Sequence, residues 1–502
     1  MKQESDAPPE PPTRTSGAER SRQLDRSLMH GVAWTGAMKW GTQVFSWAAT
    51  LVIARLLTPA DYGLMTMATV YLGFIQLVNE FGLGPAIIKH RELTEDQIAG
   101  LGSLSVWMGL GWWVISIGAG FIISAFYQEP AVHWIIAALG ITFVTTGLKV
   151  LPRALLTRDM RFKRVAAIDA VEAIAGTVGT LVFALMGLRY WSLVWGGIIG
   201  SGLSTIVALR WAPHRRQWPR DFKAIAPSLQ MGWHIVVSRF AWYLYSNADF
   251  AIVGRIFDKV TLGGYGFAWT LASIPVTRIS SLVAQVTPAI FSAVQNNKAE
   301  FRRYVLKLTE GLALITFPFS MGVALVSREF VLVALGEQWR VAIIPLQLLS
   351  LYAGFRAVTT LHSQILQYAG RSRDQMRYSV MALIVLPPMF YIGGKLFGIS
   401  GVAWAWIIGF PLVMIPPSLA VFEVTEMKAS QYLGALLPAT LASAAMAAVV
   451  LGIEYFLPAS ITNVQRLVID SGVGALTYAA LLFGFQRKQI RVLFQMIGQL
   501  RR

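Results

Sequence analysis

From about residue 31 to residue 485 the chain is written almost without pause in apolar runs of about twenty residues, separated by short stretches of charge, glycine or proline. An apolar helix of that length crosses the roughly 30 Å hydrocarbon core of a bilayer, and within lipid a helix satisfies its own backbone polar groups. Spanning helices are therefore what such a chain can fold into, with little length left for an extramembrane domain. The runs fall at 31–56, 62–84, 98–125, 131–150, 166–187, 190–210, 228–255, 262–287, 304–327, 340–367, 376–397, 399–422, 431–457 and 464–485. Composition agrees: 55% of the 502 residues are hydrophobic, 14% are charged, and the mean hydropathy is +0.55. The expected fold is an all-α integral membrane protein of about fourteen transmembrane helices.

The net charge of +17 would point to nucleic acid in a soluble protein. In a membrane protein it is a topology signal instead, and no nucleic-acid partner is expected. With the N-terminus cytoplasmic, the inside segments carry about 31 Lys and Arg and the outside ends about 8. This predicts an inner-membrane protein with both termini in the cytoplasm. Residues 1–30 contain Pro8, Pro12, Arg14, Arg20, Arg22 and Arg26 but no apolar core, so they read as a disordered tail rather than a signal peptide. Residues 487–502 form a basic tail.

A repeat organises the rest. Arg55-Leu56-Leu57, Tyr62-Gly63 and Pro85-Ala86-Ile87 are echoed in order by Arg255-Ile256-Phe257, Tyr265-Gly266 and Pro288-Ala289-Ile290, and later Trp195 with Ile199-Gly200 is echoed by Trp404 with Ile408-Gly409. The order predicts two six-helix lobes, 31–210 and 228–422, joined by a cytoplasmic linker at 211–227 and followed by two additional helices in 423–486. Six crossings per copy make the repeat parallel, about an axis along the membrane normal, an arrangement that transporters use to build a site between the copies. Pro59, Pro85, Pro130 and Pro152 lie at span ends, whereas Pro275, Pro318, Pro387, Pro388 and Pro411 fall inside later spans. The second lobe is thus the expected bending element. Gly196 and Gly200 have the spacing of close helix packing. Trp112, Trp113, Trp191, Trp195, Trp404 and Trp406 are placed as interface aromatics.

Several chemistries are missing. Cysteine is absent, the histidines are scattered, and no phosphate-binding loop, zinc-protease motif or nucleophile elbow occurs. A cofactor is not expected, and energy must come from an ion gradient, the membrane potential or a substrate gradient, with Na+ or H+ as the candidate coupling cation. A membrane-embedded glycan-modifying enzyme is the alternative outside transport, and it lacks a loop able to carry catalytic groups.

Four bases lie inside spans: Lys39, Arg239, Arg278 and Arg356. A cation buried in a membrane helix costs several kcal/mol unless it faces water or a partner, which makes these residues site candidates. Lys39 precedes Arg55 by the same 16 residues that separate Arg239 from Arg255, so the two are repeat mates placed to face each other across the lobe axis. Among the acids, Asp169, Glu172, Glu454 and Asp470 lie near span ends, while Asp249 lies deeper, with Asn247 two residues earlier. Asp249 and Asn247 are the coupling-ion candidates, the alternative for Asp249 being an ion pair with Arg278 or Arg356.

The sequence Ala54-Arg55-Leu56-Leu57-Thr58-Pro59-Ala60-Asp61-Tyr62-Gly63, followed by Glu80-Phe81-Gly82-Leu83-Gly84-Pro85-Ala86-Ile87-Ile88, resembles the opening of the bacterial polysaccharide transporters. These are the Wzx-type, WzxC-like oligosaccharide flippases of the multidrug/oligosaccharidyl-lipid/polysaccharide flippase superfamily, and the likeness covers roughly residues 29–486. The resemblance implies a V-shaped pair of lobes around a cavity. The cargo it implies is a polyprenyl-diphosphate-linked oligosaccharide, moved from the cytoplasmic to the periplasmic leaflet for O-antigen, capsule or exopolysaccharide assembly, with polymerase machinery as a partner. Multidrug exporters and peptidoglycan-precursor flippases of the same superfamily are the alternatives. On this reading Lys39 and Arg239, supplemented by Arg278 and Arg356, bind the diphosphate by charge-assisted hydrogen bonds.

Overall fold

The computed structural model describes residues 41–43, 45–79, 84, 87–88, 93–214, 233–294, 297–458 and 460–485, and among these every regular element is helical. Lys39, both tails and most of the 211–227 linker lie outside the described residues, as does the side chain of Arg278.

Helices α1 (Gly41–Leu56) and α2 (Pro59–Asn79) meet at a 120° bend. There follow α3 (Glu95–Tyr127), α4 (Ala131–Arg158, interrupted at Gly140), α5 (Phe162–Leu185) and α6 (Tyr190–Trp211). The second half opens with α7 (Trp233–Ile256), α8 (Lys259–Val294) and α9 (Lys298–Leu325). A connector of short turns, Ser327–Phe330, Val331–Leu335 and Glu337–Ala342, leads into α10 (Ile343–Tyr368). The chain ends with α11 (Ser372–Thr425), α12 (Ala429–Phe456) and α13 (Asn463–Phe485).

Nine helices among the described residues are long and apolar enough to cross a bilayer, or ten if the bent pair α1–α2 is one span. At 54 residues α11 would measure about 80 Å, far beyond a bilayer core. It breaks at Phe397 and Gly398, and Gly398, at φ 65° and ψ −153°, holds a conformation open essentially to glycine alone. Pro387 and Pro388 lie in its first limb and Pro411 in its second. Pro152, read from sequence as a span end, lies inside α4, because that helix continues to Arg158.

Helices pack closely where glycine removes the side chain. In the α5–α6 pair a β-carbon on Gly196 would stand 1.9 Å from Thr180 Oγ1, and one on Gly200 would stand 2.6 Å from the Glu172 carbonyl oxygen. This is the close approach expected of the Gly196/Gly200 spacing. The α2–α8 crossing joins the two halves in a reciprocal way: a β-carbon on Gly63 would lie 1.9 Å from the Lys259 carbonyl oxygen, and one on Gly263 1.7 Å from that of Pro59.

The surroundings of this crossing, at the end of the molecule bearing the Thr58 and Asp258 turns, bind the halves together. Arg55 donates to the carbonyls of Val333 and Ala334, at 2.7 Å for the latter. Trp339 Nε1 donates to the Ala54 carbonyl at 2.8 Å, and the Gln338 amide donates to those of Arg55 and Leu57. These bonds satisfy carbonyls that the end of α1 leaves without an intrahelical partner. Lys259 pairs with Glu129 at 3.0 Å, and Arg255 lies over the Phe126 ring. Asp61 caps its own turn by accepting from the Thr58 N–H and hydroxyl and also takes the Tyr190 N–H. Tyr62 packs edge-on against Phe267 and Trp339. Within the recognisable opening, residues 54–63 thus lie at the junction between the first and second halves of the chain.

Candidate functional site

At the opposite end, between α7, α10 and both limbs of α11, lies a cavity of about 250 Å³. Residues 238, 242 and 245 recur at helical spacing, so one face of α7 presents Ser238, Trp242 and Tyr245 to it, and Arg239 stands at the same wall. From α10 come Thr359, His362, Ser363 and Gln367, and from α11 Gln375, Tyr378 and Ser379. Ser238 and Ser379 hydroxyls lie 3.1 Å apart and tie α7 to α11. Two polar atoms of this wall are buried without a partner: His362 Nε2, on a side chain 3% exposed, and Gln375 Oε1. Buried polar atoms without partners are uncommon in folded proteins, and these two are closed to solvent, so they do not open onto the cavity in this conformation.

The four predicted bases fare differently. Arg239 lines the cavity, is exposed, and has no ion-pair partner among the described residues. Arg356 is half-buried and sits over the Trp269 ring, 5.6 Å from its centroid, as a cation–π contact rather than in an ion pair with Asp249. Arg278 belongs to α8, and Lys39 lies outside the described residues, so the facing of the two repeat mates rests on the sequence register.

Asp249 is fully buried. Its carboxylate accepts from Tyr265 Oη at 2.7 Å, Trp406 Nε1 at 2.8 Å and the Phe250 N–H at 2.9 Å. A cation needs oxygen ligands, and these neighbours are all donors. Asn247 donates its amide to the Tyr243 carbonyl at 2.8 Å, and residues two apart on a helix point in different directions. The two coupling candidates therefore do not converge on one point in this conformation. No cluster of three or more His, Asp or Glu suited to a metal occurs among the described residues. Trp406, read from sequence as an interface aromatic, is 1% exposed and stacked on Tyr352. Its N–H has the buried carboxylate as partner.

Two groups escaped the sequence reading. Lys149, counted there with the cytoplasmic loop charges, is 7% exposed and bonds the Glu172 carboxylate and Ser204 Oγ between α4, α5 and α6. Arg153 grips Asp169 with both terminal nitrogens one turn further on. Both acids were read as interfacial or structural, and the i, i+4 spacing of Lys149 and Arg153 was the available signal for their partners. His362 was the second omission: a lone histidine in an apolar run carries no pattern of its own.

A family model described as polysaccharide biosynthesis protein matches residues 52–344, more than half of the chain. The chain belongs to that family. Similar relatives include the lipopolysaccharide biosynthesis protein WzxC of Escherichia coli (strain K12), 25% identical over 72% of this chain and 74% of the relative. The teichuronic acid biosynthesis protein TuaB of Bacillus subtilis (strain 168) is 24% identical over 91% of this chain and 96% of its own length. Among solved structures, the lipid II flippase MurJ in an inward closed conformation superposes with a TM-score of 0.70 at 14% identity, covering 89% of this chain and 98% of its own. At that identity the likeness is one of fold. This chain thus shares an all-α membrane architecture with that structure.

Proposed function

We propose that the protein is a flippase that moves a polyprenyl-diphosphate-linked oligosaccharide from the cytoplasmic to the periplasmic leaflet of a bacterial inner membrane, for O-antigen, capsule or exopolysaccharide assembly. The observation that carries this reading is a cation, Arg239, without an ion-pair partner among the described residues, on a cavity with several polar groups, within a chain of the polysaccharide biosynthesis family. A sugar diphosphate cannot cross hydrocarbon unaided, whereas its lipid tail can remain in the bilayer. The protein must supply a wet, cationic path open sideways to lipid. Fourteen spans in two six-helix lobes plus two further helices, with both termini cytoplasmic, give that path a rocking pair of walls. Lys39 and Arg239 converge on the diphosphate from the two lobes, and Arg278 and Arg356 extend the cationic lining. A gradient of Na+ or H+ drives return of the empty carrier.

Surface glycan and membrane protein level, measured together, test the proposal. Arg239→Gln and Lys39→Gln are each expected to leave the protein level normal and lower surface glycan at least about tenfold, the effect of losing one charge-assisted hydrogen bond of about 1.5–3 kcal/mol. Normal glycan in both variants would remove the assignment.

A further inference from the structure

The two C-terminal helices reach the junction between the halves through a group of carboxyls. Helix α13 packs against α12, against α9 and against the turn Ser327–Phe330 that opens the connector. Tyr478 Oη fixes the α9 contact by donating to the Leu314 carbonyl at 2.7 Å. Where these segments meet, Glu329 comes from the connector, Glu454 from the last turn of α12, and Asp470 from α13. Asp470 lies seven residues after Asn463, about 10 Å from the helix end. Glu329 is 5% exposed and Asp470 3%, and Asp470 feels the charge of both other carboxyls.

Cations at this place are few and turned elsewhere. Arg466 precedes Asp470 by one helical turn, but its guanidinium reaches Glu454 at 3.6 Å and the Pro458 carbonyl at 3.3 Å. Arg328, beside Glu329, is exposed, and Arg55 is bonded to the Val333 and Ala334 carbonyls. Glu337 and Arg340 pair with each other, and Val331–Leu335 carries no charge. The last charge on α9 is Glu310, fifteen residues before its end, and the first on α10 is Arg356, thirteen after its start. Among the described residues neither Glu329 nor Asp470 has an ion-pair partner, and Asp470 Oδ1 is buried without any hydrogen bond. Two such carboxyls cannot both stay ionised, because an uncompensated buried charge costs several kcal/mol and a like charge nearby adds to it. A proton on one of them removes a charge and supplies the missing donor, since a carboxylic O–H can bond the carboxylate beside it.

The position of Glu329 gives that proton a consequence. Directly after it, Val331–Leu335 winds as a π turn whose Val333 and Ala334 carbonyls take Arg55 of α1, and Trp339, ten residues on, bonds Ala54. We infer that Glu329 and Asp470 form a proton-binding site that latches the junction between the halves. A proton from the water at this end adds to one carboxylate, its O–H bonds the other, and the connector rests on α13 with the end of α1 held. Loss of the proton leaves two like charges that push the connector off α13 and release α1. The joined state thus binds one proton more than the opened state, so opening is suppressed at low pH and grows as pH rises. The inference takes from the flippase reading only that this end opens, and it makes no use of the cargo.

The chain has no cysteine, so a single introduced thiol reports on one place. Ala54 is fully buried at the junction, whereas Val260, at the same end, is exposed. The test follows modification of Ala54→Cys by a water-soluble maleimide in the full-length protein in lipid nanodiscs, divided by the rate for Val260→Cys to remove the pH dependence of the thiol itself. From pH 5 to pH 8 this ratio is expected to rise about tenfold or more, one proton allowing about tenfold per pH unit. Glu329→Gln and Asp470→Asn carry the hydrogen of the protonated form permanently, so each should hold the ratio at its low value throughout. The infrared C=O stretch of protonated carboxyls in the wild type at pH 6 should lose intensity in each variant. A wild-type ratio that ignores pH, or a pH dependence that survives in both variants, would overturn the site. A ratio raised at every pH in both variants, with a lowered melting temperature, would make these carboxyls packing elements alone and overturn it as well. Normal surface glycan alongside any of those results would remove the latch and leave the flippase standing.

Discussion

At the scale of single residues, the conspicuous charges divide by what surrounds them. Arg239 has a cavity before it, whereas Asp249 is enclosed by donors contributed by α7, α8 and α11. A carboxylate in that position anchors three helices, and exchanging one oxygen for an amide sets N–H groups against N–H and O–H groups. We expect Asp249→Asn to lower the melting temperature of the purified protein, at a cost of about 1–3 kcal/mol for a buried donor left without a partner. The transport that remains should keep the ion dependence of the wild type. An altered ion dependence with unchanged melting would instead place the coupling cation at this carboxylate. Arg239 was legible in the sequence because a base inside an apolar run is an exception that needs a reason. His362 was not, since one polar residue on a helix is visible only when the helices opposite are known. Trp406 was misplaced for the same reason: an aromatic near a span end suits an interface equally well until its N–H finds a partner.

At the scale of elements, glycine governs where helices meet. The α2–α8 crossing leaves no space for a β-carbon at Gly63 or Gly263, since the obstructing atoms are backbone carbonyls that cannot rotate away. Gly63→Ala and Gly263→Ala should each cost at least the about 1–3 kcal/mol typical of overpacking and reduce the yield of monodisperse protein. Gly266→Ala is the matched control: its β-carbon would meet the end of the Thr66 side chain at 3.0 Å, a group able to turn aside. It should be recovered at the wild-type level. Helix positions followed from apolar periodicity, and the Gly196/Gly200 seam followed from spacing. The break at Gly398 followed from the gap between the runs 376–397 and 399–422, whereas the extension of α4 past Pro152 did not, because it depends on where a helix finds neighbours rather than on its composition.

At the scale of the whole molecule, the crossing of α2 and α8 brings the first and second halves of the chain into close contact at Gly63 and Gly263. The number and direction of crossings are settled by where the loops lie. Reporter fusions after residues 90, 160, 218, 298 and 373 are expected to report the cytoplasm, and those near 128, 258 and 338 the periplasm. A periplasmic signal at 160 or 218 would overturn the fourteen-span arrangement, since those loops carry its strongest charge bias. The polar path was less legible at this scale than the span pattern. Charge bias orients a chain, whereas a cavity exists only once three separated segments have come together.

The clasp at the Thr58 end has a consequence for how the protein is made. The carbonyl of Ala54 receives its hydrogen bond from Trp339, 285 residues later in the chain. At ribosomal speeds of about 5–20 residues per second, that partner is synthesised on the order of 15–60 s after the first helical pair has entered the membrane. Until then the Ala54 carbonyl lacks this partner, and the first helices are held to the second half only by earlier contacts such as the α2–α8 crossing and the Lys259–Glu129 pair. A chain interrupted before Val331 carries α1 to α9 and lacks the connector that bonds the end of α1. Such a product is open to the proteases that survey the membrane, so completion of translation and security of the first hairpin are coupled by the same few hydrogen bonds.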